Sequence, residues 1–415
     1  MPIRISSRFD SGAIEVIDAE RADDIRLRLR ADSAADFAQW FHFRVNGVKG
    51  VACRYTFENA ATSAYPEGWR GYHVAASYDG VKWFRVSTTF YDGQTMVLTH
   101  TPDADTVFYA YFEPYGEARH HAFLGEVAQS GLAEVEDIGL SCEGRPITVV
   151  KIGREVARTE AVSRVGGDAT SAGSGSGGGN GNGDSAAAVV KPRVWIIARQ
   201  HPGETMAEWF VEGMIRRLTG MGDWAGDPIG ARLREIAVIR LVPNMNPDGS
   251  ALGNLRTNAA GANLNREWMT PDAKRSPEVL AVRNAVAQTG LDMFFDIHGD
   301  EVLPYNFVAG SEMLPDFTPE QLATQSAFVS RFKAISPDFQ DVEGYPVGLY
   351  REDALTLASK YMAHEYGCLS LTLEMPFKDN ANAPDANVGW NGARSAALGA
   401  AMCQAILQQI EAEAV

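Results

Sequence analysis

The sequence predicts an antiparallel β-sandwich followed by an α/β unit whose mixed, mostly parallel sheet is covered by helices. Three observations carry this. Short β-branched and aromatic runs follow one another from about Trp40 to Tyr115, strand-like and helix-like patterns alternate after that, and the later strands are continuous apolar runs, as expected of strands buried on both faces. We place the boundary near Gly125, which gives residues 1–125 to the sandwich and 126–415 to the α/β unit.

In the first unit the predicted strands are Trp40–Val45, Val51–Phe57, Tyr72–Ser77, Trp83–Thr88, Thr95–His100 and Val107–Phe112, with Asp79-Gly80 as a hairpin turn. His100 and the pair His120-His121 have no catalytic spacing and read as ordinary loop histidines. Ile147–Ile152 is a further strand, and Arg193–Ile197 another. Between them the Gly/Ser-rich stretch at about 160–188 cannot bury enough apolar surface to order itself, so we expect a flexible loop inside one sheet, joining two neighbouring strands.

The stretch Val194–Leu218 organises the second unit. An apolar strand stops at a polar turn holding His201 and Glu204, and Met206, Phe210, Met214 and Leu218 then mark a helix packed on the sheet. Two residues three apart at a helix start face the same way, at the strand edge where α/β sheets bind ligands. Ile236–Val242 is the next strand, followed by an irregular segment rich in Asn and Arg, Gly253–Arg266, which reads as a binding loop. Ser276 is placed as the N-cap of a helix opening at Pro277. Met293–Ile297 runs into His298, Leu369–Leu373 runs into Glu374, and a helix over Gly392–Glu411 closes the chain.

Composition excludes several classes. A formal net charge of -16 argues against nucleic acid or an anionic membrane as partner. Four scattered cysteines without a C-x-x-C pair suggest neither a disulfide framework nor a thiolate metal site, and the N-terminus lacks a signal peptide's apolar stretch. A cytoplasmic protein is the expectation.

His201, Glu204 and His298 supply two imidazoles and a carboxylate, the ligand set of a catalytic zinc with one position left for water, and we expect one zinc per chain. Glu301 is an alternative carboxylate ligand. Glu374, ending an apolar strand, is the candidate general base, since burial would raise its pKa. Arg256 and Arg266 are candidates for holding an anionic substrate group.

Taken together, HPGET at 201–205, NPDG at 246–249, GNLR at 253–256, LNREW at 264–268, DIHGD at 296–300 and LTLEMPF at 371–377 resemble the carboxypeptidase A-like zinc metallocarboxypeptidases. The cytosolic subfamily, which carries a β-sandwich in front, is the nearest match. The resemblance covers roughly Arg145 to the C-terminus and implies a carboxypeptidase-like fold acting on the C-terminal tails of peptides or proteins. It implies His201, Glu204 and His298 as zinc ligands, Glu374 as base, Arg256 as the group polarising the scissile carbonyl, and Asn265 with Arg266 as the grip on the substrate carboxylate. It also implies a tyrosine over the substrate, assigned to Tyr350 with Tyr361 and Tyr366 as rivals. Wider relatives have aspartate where this chain has Asn263, so one ligand histidine is supported by an uncharged acceptor. Lys360 could favour acidic C-terminal residues. The alternatives are a zinc amidohydrolase acting on a small N-acyl amino acid or cell-wall peptide, and a non-catalytic binding module on the same fold.

Overall fold

The computed structural model describes residues 2–155, 191–349 and 353–414. The Gly/Ser-rich stretch and Tyr350 lie outside the described residues.

The N-terminal unit is two facing five-stranded sheets. Its strands are β1 (Arg4–Ser6), β2 (Glu15–Asp18), β3 (Ile25–Arg28), β4 (His42–Asn46), β5 (Cys53–Phe57), β6 (Ala75–Ser77), β7 (Trp83–Arg85), β8 (Thr89–Tyr91), β9 (Met96–His100) and β10 (Thr106–Ala110). The sheet orders are β1-β4-β10-β6-β7 and β2-β3-β5-β9-β8, antiparallel except for the parallel pair β3–β5. All six expected strands are present within a few residues of their expected ends. The unforeseen ones, β1 to β3 and β8, are three or four residues long, too short for a pattern to stand out. The turn at Asp79-Gly80 joins β6 to β7, with Gly80 at a φ of 72° and the Asp79 carboxylate accepting from the Val81 and Lys82 amides.

Helix α1 (Glu117–Gln129) leads into the second unit, whose elements follow as β11 (Ala133–Leu140), β12 (Pro146–Ile152), β13 (Arg193–Ala198), α2 (Thr205–Thr219), α3 (Pro228–Ile236), β14 (Val238–Val242), α4 (Pro247–Leu252) and α5 (Pro277–Thr289). Then come β15 (Met293–Ile297), β16 (Phe307–Ala309), α6 (Pro319–Ile335), α7 (Ala358–Tyr366), β17 (Leu369–Glu374) and α8 (Gly392–Glu413). They build a seven-stranded sheet ordered β11-β12-β14-β13-β15-β17-β16, parallel through β14, β13, β15 and β17 and antiparallel at both margins. Strands β12 and β13 therefore share one sheet but are not neighbours, because β14 lies between them and pairs with both.

Alternation along β13 shows the two covered faces. Val194, Ile196 and Ala198 join the apolar cluster that contains α2 and α8, whereas Trp195 and Ile197 join the cluster of α5 and α7. Helices α2 and α8 touch backbone to backbone, since a Cβ on Gly213 would overlap the Ala396 carbonyl and one on Gly399 the Phe210 carbonyl. Ser276 and Pro277 occupy the expected N-cap and first helical positions of α5, while the Ser276 hydroxyl accepts from the Asp272 amide and makes no bond to the helix's own amides. Among the described residues no helix is long and apolar enough to cross a membrane.

The units share a continuous core. Tyr111 of the sandwich stacks on Phe377 at a centroid distance of 4.4 Å, and the buried Arg85 guanidinium donates to the carbonyls of Phe377 and Trp390 at 2.8 and 3.0 Å.

Candidate active site

The chain leaves β13 for β14 on one side and then crosses to β15 on the other, so the carboxyl ends of β13 and β15 flank the crevice where the winding direction reverses. His201 follows β13, His298 follows β15, and Glu374 ends β17, the next strand out. Three adjacent strand ends thus bring together residues up to 173 positions apart in sequence (374 − 201).

His201 Nδ1 lies 2.6 Å from one oxygen of Glu204, and His298 Nδ1 lies 2.8 Å from the other. The two Nδ1 atoms are 3.2 Å apart, and all three side chains are buried. Both His201 and Glu204 precede α2, so it is the turn, and not a shared helix face, that makes them converge. This turn is held by Arg199, whose φ is 58° and whose guanidinium bonds the Pro202 carbonyl and Glu208. The outer nitrogens are also engaged: His201 Nε2 is 3.0 Å from Asn263 Oδ1, and His298 Nε2 is 2.9 Å from Asp296 Oδ2. Oxygen acceptors on Nε2 place a proton there and leave the Nδ1 lone pairs facing each other across a carboxylate. Such a set needs a cation at its centre, and the atoms lie close enough to share one ion. Without metal, burial and the Arg256 charge hold His201 down at about 4, with Glu204 opposing. At His298 burial is outweighed by Asp296 and Glu204, which raise its pKa well above the ordinary imidazole value. The residues fit a metal.

Glu204 and not Glu301 joins the converging atoms, although Glu301 lines the same cleft. That cleft encloses about 980 Å³. Its wall includes Glu374, Arg256, Asn265, Arg266 and Lys360. Glu374 Oε2 is buried without a hydrogen-bond partner, and burial, helped by Glu204 and Asp300 and opposed by His298, raises its pKa well above the carboxylate range. The Asn265 amide is fixed by accepting from the Ala358 backbone at 2.9 Å, and Arg266 Nη1 donates to the Asn265 carbonyl at 2.6 Å. Arg256 lies over the rings of Tyr65 and Phe37, 5.5 and 5.9 Å from their centroids. Lys360 donates to the Ala309 carbonyl at 3.1 Å, and burial lowers its pKa to about 8 against the pull of Glu312.

Of the rival tyrosines, Tyr361 packs in the α5–α7 core with its hydroxyl bonded to Arg283, and Tyr366 ends α7; neither lines the cleft. The cleft instead presents Tyr345, whose hydroxyl donates to Asp300 at 2.7 Å, and Tyr65 of the sandwich. Sequence reasoning passed over both, since neither stands in a motif. It also passed over Asp296, whose signal was available: two residues before His298 on a strand, it lies on the same face. His120 pairs with Glu208, and His100 with Tyr109, as structural histidines. A second cluster, Cys142, Asp248 and Glu278, is already saturated by Arg145, Ser141, Asn258 and backbone amides.

Two buried imidazoles, a shared carboxylate and an unpartnered second carboxylate at the carboxyl edge of such a sheet define a metal-dependent hydrolase. Residues 120–388 match the family profile described as zinc carboxypeptidase, and residues 5–112 match the cytosolic carboxypeptidase N-terminal domain. The chain belongs to the zinc carboxypeptidase family and is a metallocarboxypeptidase. It resembles a metallo-carboxypeptidase of Burkholderia cenocepacia, at 57% identity over 99% of each chain with a TM-score of 0.90. Another relative of known structure is a Pseudomonas aeruginosa metallo-carboxypeptidase in complex with (2-guanidinoethylmercapto)succinic acid, at 40% identity over 98% of this chain and 99% of that one, with a TM-score of 0.85. Mouse cytosolic carboxypeptidase 2 is 27% identical over 71% of this chain, and the match spans 34% of the mouse protein.

Proposed function

We propose that this protein is a zinc carboxypeptidase that removes the last residue from peptides or protein tails in the cytoplasm, with His201, Glu204 and His298 holding one zinc. The observation that carries this reading is the convergence of their three ligand atoms in one cleft with an unpartnered buried carboxylate and two arginines. Zinc bound there would acidify its water and polarise the scissile carbonyl. Glu374 takes the proton from the attacking water and passes it to the departing amine, a double duty that suits a carboxyl of raised pKa. Arg256 stabilises charge developing on the carbonyl oxygen. Arg266 and Asn265 fix the substrate carboxylate, so that the last peptide bond and no other reaches the reacting groups. The relatives named cytosolic carboxypeptidases support the location. The succinic-acid compound held by the Pseudomonas relative supports recognition of a carboxylate.

Lys360 in the cleft wall favours acidic C-terminal residues in this reading. A second reading, a preference for basic residues, is favoured by the cleft carboxylates Glu301, Glu312 and Glu343 and by the guanidinium of the relative's ligand. Peptides ending in Glu, Lys and Phe, with C-terminally amidated controls, test these points by mass spectrometry of the released residue. Equal cleavage of the amides would refute the carboxylate grip. Faster release of Lys than Glu would replace the first preference with the second. Elemental analysis should find about one zinc per chain, lost in His201→Ala.

A further inference from the structure

The sandwich unit reaches into the catalytic site through one carboxylate. A tight turn in which the Asp32 amide donates to the Phe37 carbonyl at 3.0 Å carries Asp32 against the binding loop of the other unit. Asp32 Oδ1 accepts the Leu255 amide at 2.6 Å. Oδ2 accepts the Arg256 amide at 3.0 Å and the Thr257 amide and hydroxyl, each at 2.8 Å. Four donors from three consecutive residues thus end on a side chain that is 7% exposed. The same turn places the Phe37 ring beside the Arg256 guanidinium, and Tyr65, tied by its backbone to the Gln39 amide, flanks it too. Backbone and head group of Arg256 are therefore both set by the sandwich.

We infer that Asp32 is a positioning residue for the reaction, acting through Arg256, and that the sandwich unit completes the oxyanion side of the site. The inference rests on the role proposed for Arg256. A carboxylate is the group this position needs. It accepts several amide hydrogen bonds with two oxygens, whereas an asparagine in the same place turns an NH2 toward N–H donors. The neighbouring contacts, Arg30 to the Leu252 and Gly253 carbonyls and Ser33 with Asn254, fasten the two units without touching Arg256.

The test is steady-state kinetics on the full-length, metal-loaded enzyme for Asp32→Asn, Arg256→Ala, the double variant and Arg30→Met, with metal content and melting temperature measured on each. Arg256→Ala should lower kcat by roughly 10²–10³-fold, as removal of one oxyanion donor does. Asp32→Asn should lower kcat by about tenfold with KM little changed, since displacing a reacting group by ~1 Å costs up to ~100-fold. In the Arg256→Ala background Asp32→Asn should add less than about twofold, because a residue acting through another is not additive with it. Arg30→Met should lower the melting temperature and leave kcat alone. If Asp32→Asn lowers kcat equally in both backgrounds, raises only KM, or is matched by Arg30→Met, the inference is overturned while the role of Arg256 stands. If Arg256→Ala is itself harmless, that role fails and takes the inference with it.

Discussion

Glu374 is the residue on which chemistry and stability pull in opposite directions. Its carboxyl is buried near three other acids with one oxygen unpartnered, so its pKa in the metal-free fold lies above the ordinary value of about 4.3. The folded chain then holds that proton more tightly than the unfolded chain, and the stability this group confers at low pH is lost as pH rises through the raised value. Glu374→Gln should therefore lower kcat by about 10²–10⁴-fold, the reach of general base catalysis, yet leave the metal-free protein at least as heat-stable as the parent at pH 8. A variant that keeps its turnover, or melts well below the parent, contradicts this account. The asymmetry between the histidines gives a second expectation. His298 leans on the carboxylate Asp296 and His201 on the amide of Asn263, so Asn263→Asp should tighten metal binding by about tenfold in chelator competition. Lys360 gives a third. With a pKa lowered to about 8 by burial, it loses its charge as pH rises through that value, so preference for Glu over Phe at the peptide end should decay there and be absent in Lys360→Met. Flat discrimination from pH 6 to 9 would refute the proposed role of Lys360 in choosing the C-terminal residue. At this scale the sequence was most readable where a polar residue interrupts an apolar run, as at His201, His298 and Glu374. It was mute at Asp32 and Tyr65, because nothing local marks a loop aspartate that meets Leu255 223 residues away or a turn tyrosine that meets Arg256 191 residues away (256 − 65).

Elements differ in the same way. The strands β13, β15 and β17 were legible because burial on both faces requires unbroken apolar runs, and His201, His298 and Glu374 stand just beyond or at their carboxyl ends. The margins were not: β11 alternates charged and apolar residues on a largely exposed edge, and β16 is three residues long. Order within the sheet was equally hidden, since nothing in the runs says that β14 inserts between β12 and β13. The contact of α2 with α8 is the most demanding packing between elements. Glycine at 213 and 399 lets two backbones meet, and any Cβ there would have to displace a carbonyl. Gly399→Ala should cost about 3 kcal/mol or more by overpacking, seen as a lowered denaturation midpoint, while Ala401→Gly on the same helix should cost only about 1 kcal/mol of helix propensity. Equal effects of the two would show that the helices separate freely.

For the whole molecule, the stacked Tyr111 and Phe377 rings and the buried Arg85 make the two units one cooperative body. Calorimetry should record a single unfolding transition, and Arg85→Ala, which orphans several buried carbonyls, should lower its midpoint by several degrees without splitting it. Two resolved transitions in the parent protein would contradict the shared core. The seven-stranded sheet also has a direction. His201, His298 and Glu374 stand at the carboxyl ends of the parallel strands, whereas Lys191 lies just before the amino end of β13, at the opposite margin. The molecule therefore sets Lys191, just before the start of β13, a full strand length from its chemistry at the other end of that strand. A fluorophore coupled to Lys191 becomes an observer of the working enzyme, tracking it in a cell without standing in the path of a substrate tail.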